Sequence, residues 1–134
     1  LGASSIGYEI AKDFGHSIET TAASLVGFTL QPDQFFMKEL SGSSVETSVS
    51  VGKKNFKGNL LFAHKGISGP VILNASLYWQ KANITINFIP SIEWKKFKNS
   101  NKILSTILPL PKRVAKTFLS QLKIDDKPIS KLND

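Results

Sequence analysis

The chain has 134 residues, 41% of them apolar, and carries 17 Lys or Arg against 10 Asp or Glu, a net charge of +7. That length and apolar content suit one ordinary domain with a real core; the absence of cysteine excludes disulfides and thiolate metal sites, and two well-separated histidines argue against zinc. No run reaches the roughly 18 apolar residues of a membrane span, and no signal-peptide pattern opens the chain, so the cytoplasm is the expected setting, without a membrane partner.

Leu1-Gly2-Ala3-Ser4-Ser5-Ile6-Gly7-Tyr8 is a glycine and serine turn leading into a helix. A dinucleotide fingerprint needs a preceding strand and three glycines at fixed offsets, and this segment has neither. Ser4 or Ser5 is expected to start a helix over 6–14, with Ile6, Ile10 and Phe14 on one face and Gly15 as its stop. His16, beside that stop, reads as a carboxy-terminal capping contact. From Leu25 to Phe88 the pattern turns strand-like, predicting strands at 25–30, 34–40, 45–51, 60–63 and 84–88. Alternation is clearest in Val45, Thr47, Val49 and Val51, and again in Ile84, Ile86 and Phe88, so each strand should have one buried face. A helix over 69–79 would carry Val71, Ile72, Ala75 and Trp79 toward that sheet. After Pro90, helices at 92–98, 101–108 and 111–122 follow, with Pro109 and Pro111 separating the last two. The fold class is α+β: a small antiparallel β-barrel with a crossing helix, followed by a small helical subdomain.

The densest stretch is His64-Lys65-Gly66-Ile67-Ser68-Gly69-Pro70, directly behind Leu60-Leu61-Phe62-Ala63. It reads as a strand end, a turn that uses Gly66, a helix cap at Ser68 and a first turn that accommodates Pro70. Such a corner would aim amide groups and the positive end of a helix at whatever lies over it, with Ser68 and the following amides as an anion seat. Imidazole titrates near physiological pH as a residue type, which makes His64 the candidate catalytic residue, and Gly66, Ser68 and Gly69 the residues expected to face substrate or cofactor. The plainer reading is a strand-to-helix connection in which His64 only bonds nearby backbone.

Residues 1–90 hold seven Lys against six acidic residues, whereas 91–134 hold ten Lys or Arg against four, so nearly all of the excess charge lies in the last third. Lys112, Arg113 and Lys116 form the polar side of a helix whose apolar side is Val114, Ala115, Phe118, Leu119 and Leu122. A solvated basic face explains this pattern, and no aromatic residues interleave with these cations as a single-strand platform would need. A chain that opens inside a turn and ends in a lysine-rich helical pattern also reads as an excerpt from a longer protein.

Four blocks occur in order: Gly7-Tyr8 with Ala11 and Gly15-His16; Leu40, Gly42 and Val45; Leu61-Phe62, His64 and Gly66-Ile67-Ser68-Gly69-Pro70; and Leu108-Pro109, then Pro111-Lys112-Arg113-Val114-Ala115. Together they resemble the YhiN/BaiN-type flavoproteins across the whole chain, with Ile6 where an acid is usual and Ala63 where a threonine is. The resemblance implies an NAD(P)/FAD-dependent oxidoreductase family that includes aminoacetone-oxidase-like enzymes, in which a Rossmann-type FAD domain is split by an inserted barrel and a helical domain. Residues 1–20 would then be a helical stub from the flanking FAD domain, 21–90 the β-barrel insert and 91–134 a basic helical subdomain. No cofactor is expected in this part. FAD, with NAD(P)H as a further candidate, would belong to the parent, whose flavin the insert covers and whose substrate pocket it shapes.

The expected partners are the flanking FAD-binding domain of the same chain and a small-molecule substrate, with nucleic acid not expected. The competing reading is a non-enzymatic module that binds nucleic acid or another polyanion through its basic C-terminal helices, or one that holds an oligomer together.

Overall fold

The computed structural model describes residues 4–22, 24–81, 83–97 and 100–131. The predicted opening turn at Leu1-Gly2-Ala3, the Lys98 end of the predicted 92–98 helix and the last residues of the predicted 91–134 unit lie outside them.

The first element is helix α1, Ile6–Asp13. It ends as its sequence predicts: Gly15 takes a left-handed φ of 82°, the Gly15 amide donates to the Lys12 carbonyl at 2.9 Å and the His16 amide to Ala11 at 3.0 Å. This paired closure satisfies two carbonyls at the helix end, and His16 takes part through its backbone. No residue of α1 is buried.

Five strands are found among the described residues: β1 (Phe28–Thr29), β2 (Ser44–Val51), β3 (Lys54–Phe62), β4 (Gly66–Ser68) and β5 (Ile84–Asn87). They form one antiparallel sheet in the order β1-β4-β3-β2-β5, which curls as a half-barrel. The α+β expectation of an antiparallel barrel-like sheet holds, with β1 and β5 as the two edges of the half-barrel. β1 begins later than Leu25 because that residue sits at φ 53°, outside strand geometry. β2 and β3 turn through Gly52-Lys53, with Val51 opposite Lys54. Gly52 takes the positive φ of 54° at the first turn position. β3 is longer than its apolar signal because its first half, Lys54 to Asn59, is mostly exposed.

Two further predictions are corrected. Residues 34–40 are not a strand; Pro32–Leu40 is a 3-10 helix. Pro32 sits in its first turn, and Gln31 and Gln34 cap each other reciprocally, the Gln31 amide donating to Gln34 Oε1 at 3.1 Å. The predicted turn at Gly66-Ile67-Ser68 is instead strand β4.

Helix α2, Pro70–Ser76, buries Val71, Ile72 and Ala75 against β2, β3 and β4, so it does cross the sheet. Trp79 lies beyond its end and meets Phe28 edge-on at 5.2 Å. The core gathers Leu40, Val49, Leu60, Phe62, Val71 and Ile72, each at most 2% exposed. Burial of side chains this large stabilises by about 1.5–3 kcal/mol apiece.

The helical third comprises a 3-10 turn at Trp94–Phe97, helix α3 (Leu104–Ile107), helix α4 (Lys112–Gln121) and a 3-10 turn at Ile129–Lys131. It does not pack as a separate cluster. Val114 belongs to the sheet's core, and Phe118 touches Phe36, Phe62 and Phe88. The opposite face of α4 exposes Lys112, Arg113 and Lys116, as its amphipathic pattern requires.

Asp126 fastens the start of α3. Its carboxylate accepts from the Ser105 amide at 2.8 Å and from the Ser105 hydroxyl at 2.6 Å. The Ser105 side-chain bond, then its backbone bond, hold Asp126 below the ordinary aspartate range, with Lys116 and Lys112 adding in the same sense. A carboxyl depressed in the folded state contributes stability that is present above its unfolded pKa and is lost as pH falls through the folded value, here in the acid range below about 4. Asp126→Asn is expected to flatten the acid limb of a melting-temperature profile while leaving β2 and β3 intact. An acid limb identical to that of the unsubstituted chain would remove Asp126 from that role.

Candidate functional site

Leu60 and Phe62 are buried on β3, and the chain then reverses at Ala63 and Gly66, which exchange backbone bonds at 2.8 and 3.4 Å. His64 and Lys65 are therefore the two central residues of a tight hairpin turn, both exposed. This replaces the predicted strand-to-helix corner: β4 intervenes before α2 begins. Ser41, which follows the 3-10 helix, places its Oγ 3.1 Å from His64 Nδ1. Among the described residues that is the ring's hydrogen-bond partner.

Gly66 and Gly69 are held by backbone packing. Gly66 has no positive φ; a Cβ there would lie 2.0 Å from the Phe28 carbonyl oxygen, where β1 crosses β4. Gly69 sits at φ 96°, and its Cβ would fall 2.6 Å from the Asn59 carbonyl oxygen and 2.8 Å from the Leu61 amide nitrogen. Gly66 thus permits close approach of chains rather than a turn, and Gly69 serves both the close approach and its left-handed backbone. Ser68 pairs with Leu61 in the sheet and does not cap α2, whose N-cap is Gly69 with no side-chain cap bond. The residue before a proline avoids helical geometry, which moves the helix start past Ser68. The predicted anion seat is therefore not assembled. His64 alone of the four stands free at the surface, beside Ser41, a neighbour that only the fold reveals.

Three of the cavities among the described residues border the sheet or α4. An apolar cleft of about 350 Å³ lies between the end of β5 and the helices, walled by Phe88, Trp94, Leu104, Leu108 and Leu122. A second, about 300 Å³, lies between β1 and β5. A more polar groove of about 330 Å³ is lined by Phe36, Glu39, Lys116, Thr117, Ser120 and Gln121. His64 lines none of the three.

Lys57–Glu46, Lys96–Glu93 and Lys127–Asp125 are ion pairs. Among the described residues Lys112, Arg113 and Lys116 of α4 enter none, so their charges face solvent. No group of three or more potential metal ligands gathers among the described residues. No helix there is long and apolar enough to cross a membrane. Among the described residues β4 leads into α2 through the single glycine Gly69.

An antiparallel, half-open barrel sharing its core with a basic helical unit defines the class of domain. The chain belongs to the HI0933-like protein barrel and H2TH domain family, whose model matches residues 22–134. This agrees with the resemblance carried by the four sequence blocks. The chain is 35% identical to a ribosomal RNA dihydrouridine synthase of Haemophilus influenzae over 143 residues, covering 99% of this chain and 36% of that protein. It is 36% identical to a ribosomal RNA dihydrouridine synthase of Escherichia coli over 144 residues, with the same two coverages. The chain thus spans little more than a third of the length of these relatives.

Proposed function

We propose that this chain is the substrate-side part of a longer enzyme that forms dihydrouridine in ribosomal RNA, and that the basic face of α4 holds the RNA backbone. The observation that carries the reading is the alignment of 99% of the chain with two proteins so named. The exposed cations Lys112, Arg113 and Lys116, none of them in an ion pair among the described residues, support it, because phosphate neutralisation is the main source of affinity for nucleic acid. This reverses the expectation that nucleic acid is not a partner, and it replaces the small-molecule substrate with RNA. The flavin expected of the parent would be held by segments outside these residues, with 1–20 leading from that flanking domain, 21–90 forming the barrel insert and 91–134 the basic unit.

Forming dihydrouridine adds a hydride and a proton across the C5–C6 double bond of a uracil ring; a reduced flavin of the parent protein would supply the hydride, and the proton must come from an acid group. His64 is the group in this chain we assign to proton handling, since its imidazole stands exposed on the β3–β4 hairpin beside Ser41. Gly66, Ser68 and Gly69 act behind it by fixing that hairpin against β1 and β3.

Binding of this chain to a ribosomal RNA fragment, followed by fluorescence anisotropy, is expected to weaken linearly on a log–log plot against salt. Each lost phosphate contact should flatten that slope by about 0.7–0.9, so a Lys112→Ala, Arg113→Ala, Lys116→Ala triple variant should reduce it by about 2–3. No binding at low salt, or an unchanged slope in the triple variant, would remove α4 from RNA contact.

A further inference from the structure

β1 is antiparallel to β4, β4 to β3, β3 to β2 and β2 to β5. Directions therefore alternate along the sheet, and its two edge strands, β1 and β5, run the same way. A barrel in which every neighbour is antiparallel needs an even number of strands. With five, β1 and β5 cannot close on each other without a parallel pair, whereas one strand between them would be antiparallel to both.

The gap between these edges has a mixed lining, with Thr29, Gln34 and Asn83 beside its apolar residues. It is the cavity of about 300 Å³ whose walls include Phe28 and Leu30 from β1 and its continuation, Ile67 from β4, and Ile84 and Ile86 from β5. On β2, the inward residues Val45, Thr47, Val49 and Val51 are at most 4% exposed. On β5, Ile84 and Ile86 point the same way but are only half-buried, while Thr85 and Asn87 alternate outward. Phe28 is likewise packed against the core and half-covered. Apolar cover thus fails at the two edges that also lack a neighbouring strand. Unpaired edges bordering apolar residues are the usual site of strand addition.

We propose that the gap between β1 and β5 receives a sixth strand, antiparallel to both, from a segment of the same protein outside these 134 residues. The relatives supply the grounds for that source, since nearly two thirds of their length lies beyond the part they share with this chain. The strand is short, four to five residues to match β5, with apolar side chains at alternate positions to cover Phe28, Ile84 and Ile86. Its insertion closes an antiparallel barrel and ties the remote segment to the sheet whose hairpin carries His64. The inference is independent of the RNA reading, because it concerns only the backbone.

Amide hydrogen exchange, compared between the 134-residue chain and the full reading frame that contains it, tests this proposal. Alternate amides of Ile84–Asn87, those not bonded to β2, are expected to exchange at least about 100-fold more slowly in the longer protein, with Phe28 and Thr29 slowed alongside. Amides of β2 and β3 serve as the internal reference and change little. Equal exchange at β5 in the two proteins would overturn the proposal. So would protection that appears in the 134-residue chain alone on raising its concentration, since that outcome assigns the gap to a second copy. Binding of RNA and turnover play no part in the readout.

Discussion

Phe62→Ala is expected to lower the unfolding free energy of the chain by about 3–5 kcal/mol, the cost of truncating a fully buried phenylalanine. Phe62 is 1% exposed near the end of β3. Its ring stacks on Phe88 with centroids 6.0 Å apart and reaches Phe118 of α4 at 6.4 Å, while Phe88 and Phe118 meet at 4.8 Å. The substitution empties the junction of sheet and helical third at once, so neither can relax into the space alone. Because small domains are stable by only about 5–15 kcal/mol, the variant should unfold at a much lower urea midpoint. Phe62→Leu keeps most of the volume and should cost roughly 1–1.5 kcal/mol. A loss below about 1 kcal/mol for the alanine variant would mean that α4 is not held through this ring.

His64→Ala in the full-length protein is expected to lower turnover about 10²-fold or more, the usual scale for removing an acid–base group. Folding should barely respond. The side chain is exposed and makes one side-chain bond, to Ser41, so the stability of the 134-residue chain should shift by no more than about 0.5 kcal/mol. Ser41→Ala separates proton handling from positioning: it should lower turnover clearly less than His64→Ala does. Unchanged turnover in His64→Ala would return the residue to a purely local role in the hairpin.

The elements legible from sequence were those whose burial is periodic. Val45, Thr47, Val49 and Val51 announce β2, the pattern from Val114 to Leu119 announces α4, and Gly15 ends α1 where a left-handed residue is required. The 3-10 helix at Pro32–Leu40 reads locally as a strand through Phe35, Phe36 and Met37, while the reciprocal cap of Gln31 and Gln34 shows only in the folded chain. The first half of β3 was silent because both its faces are largely wet, and its place is set by pairing with β2.

At the candidate site, the importance of the His64 to Pro70 stretch was readable and its reasons were not. Gly66 answers to the carbonyl of Phe28 and Gly69 to the backbone of Asn59 and Leu61; Ser41 reaches His64 from a segment far back in the chain. Contacts of this kind leave no local periodicity. The exposed side of α4 was visible as charge, but composition alone could not say whether it meets water or phosphate.

The two tryptophans stand at different clefts, Trp79 at the gap between β1 and β5 and Trp94 at the apolar cleft beside α3 and α4, each a little under half exposed. Ultraviolet emission from the chain is therefore the sum of two local signals rather than one global one. Trp94→Phe leaves a lamp that reads the sheet's open edge, and Trp79→Phe leaves one that reads the helical third. Arrival of a neighbouring segment at either place should be visible as a blue shift in one variant and silence in the other.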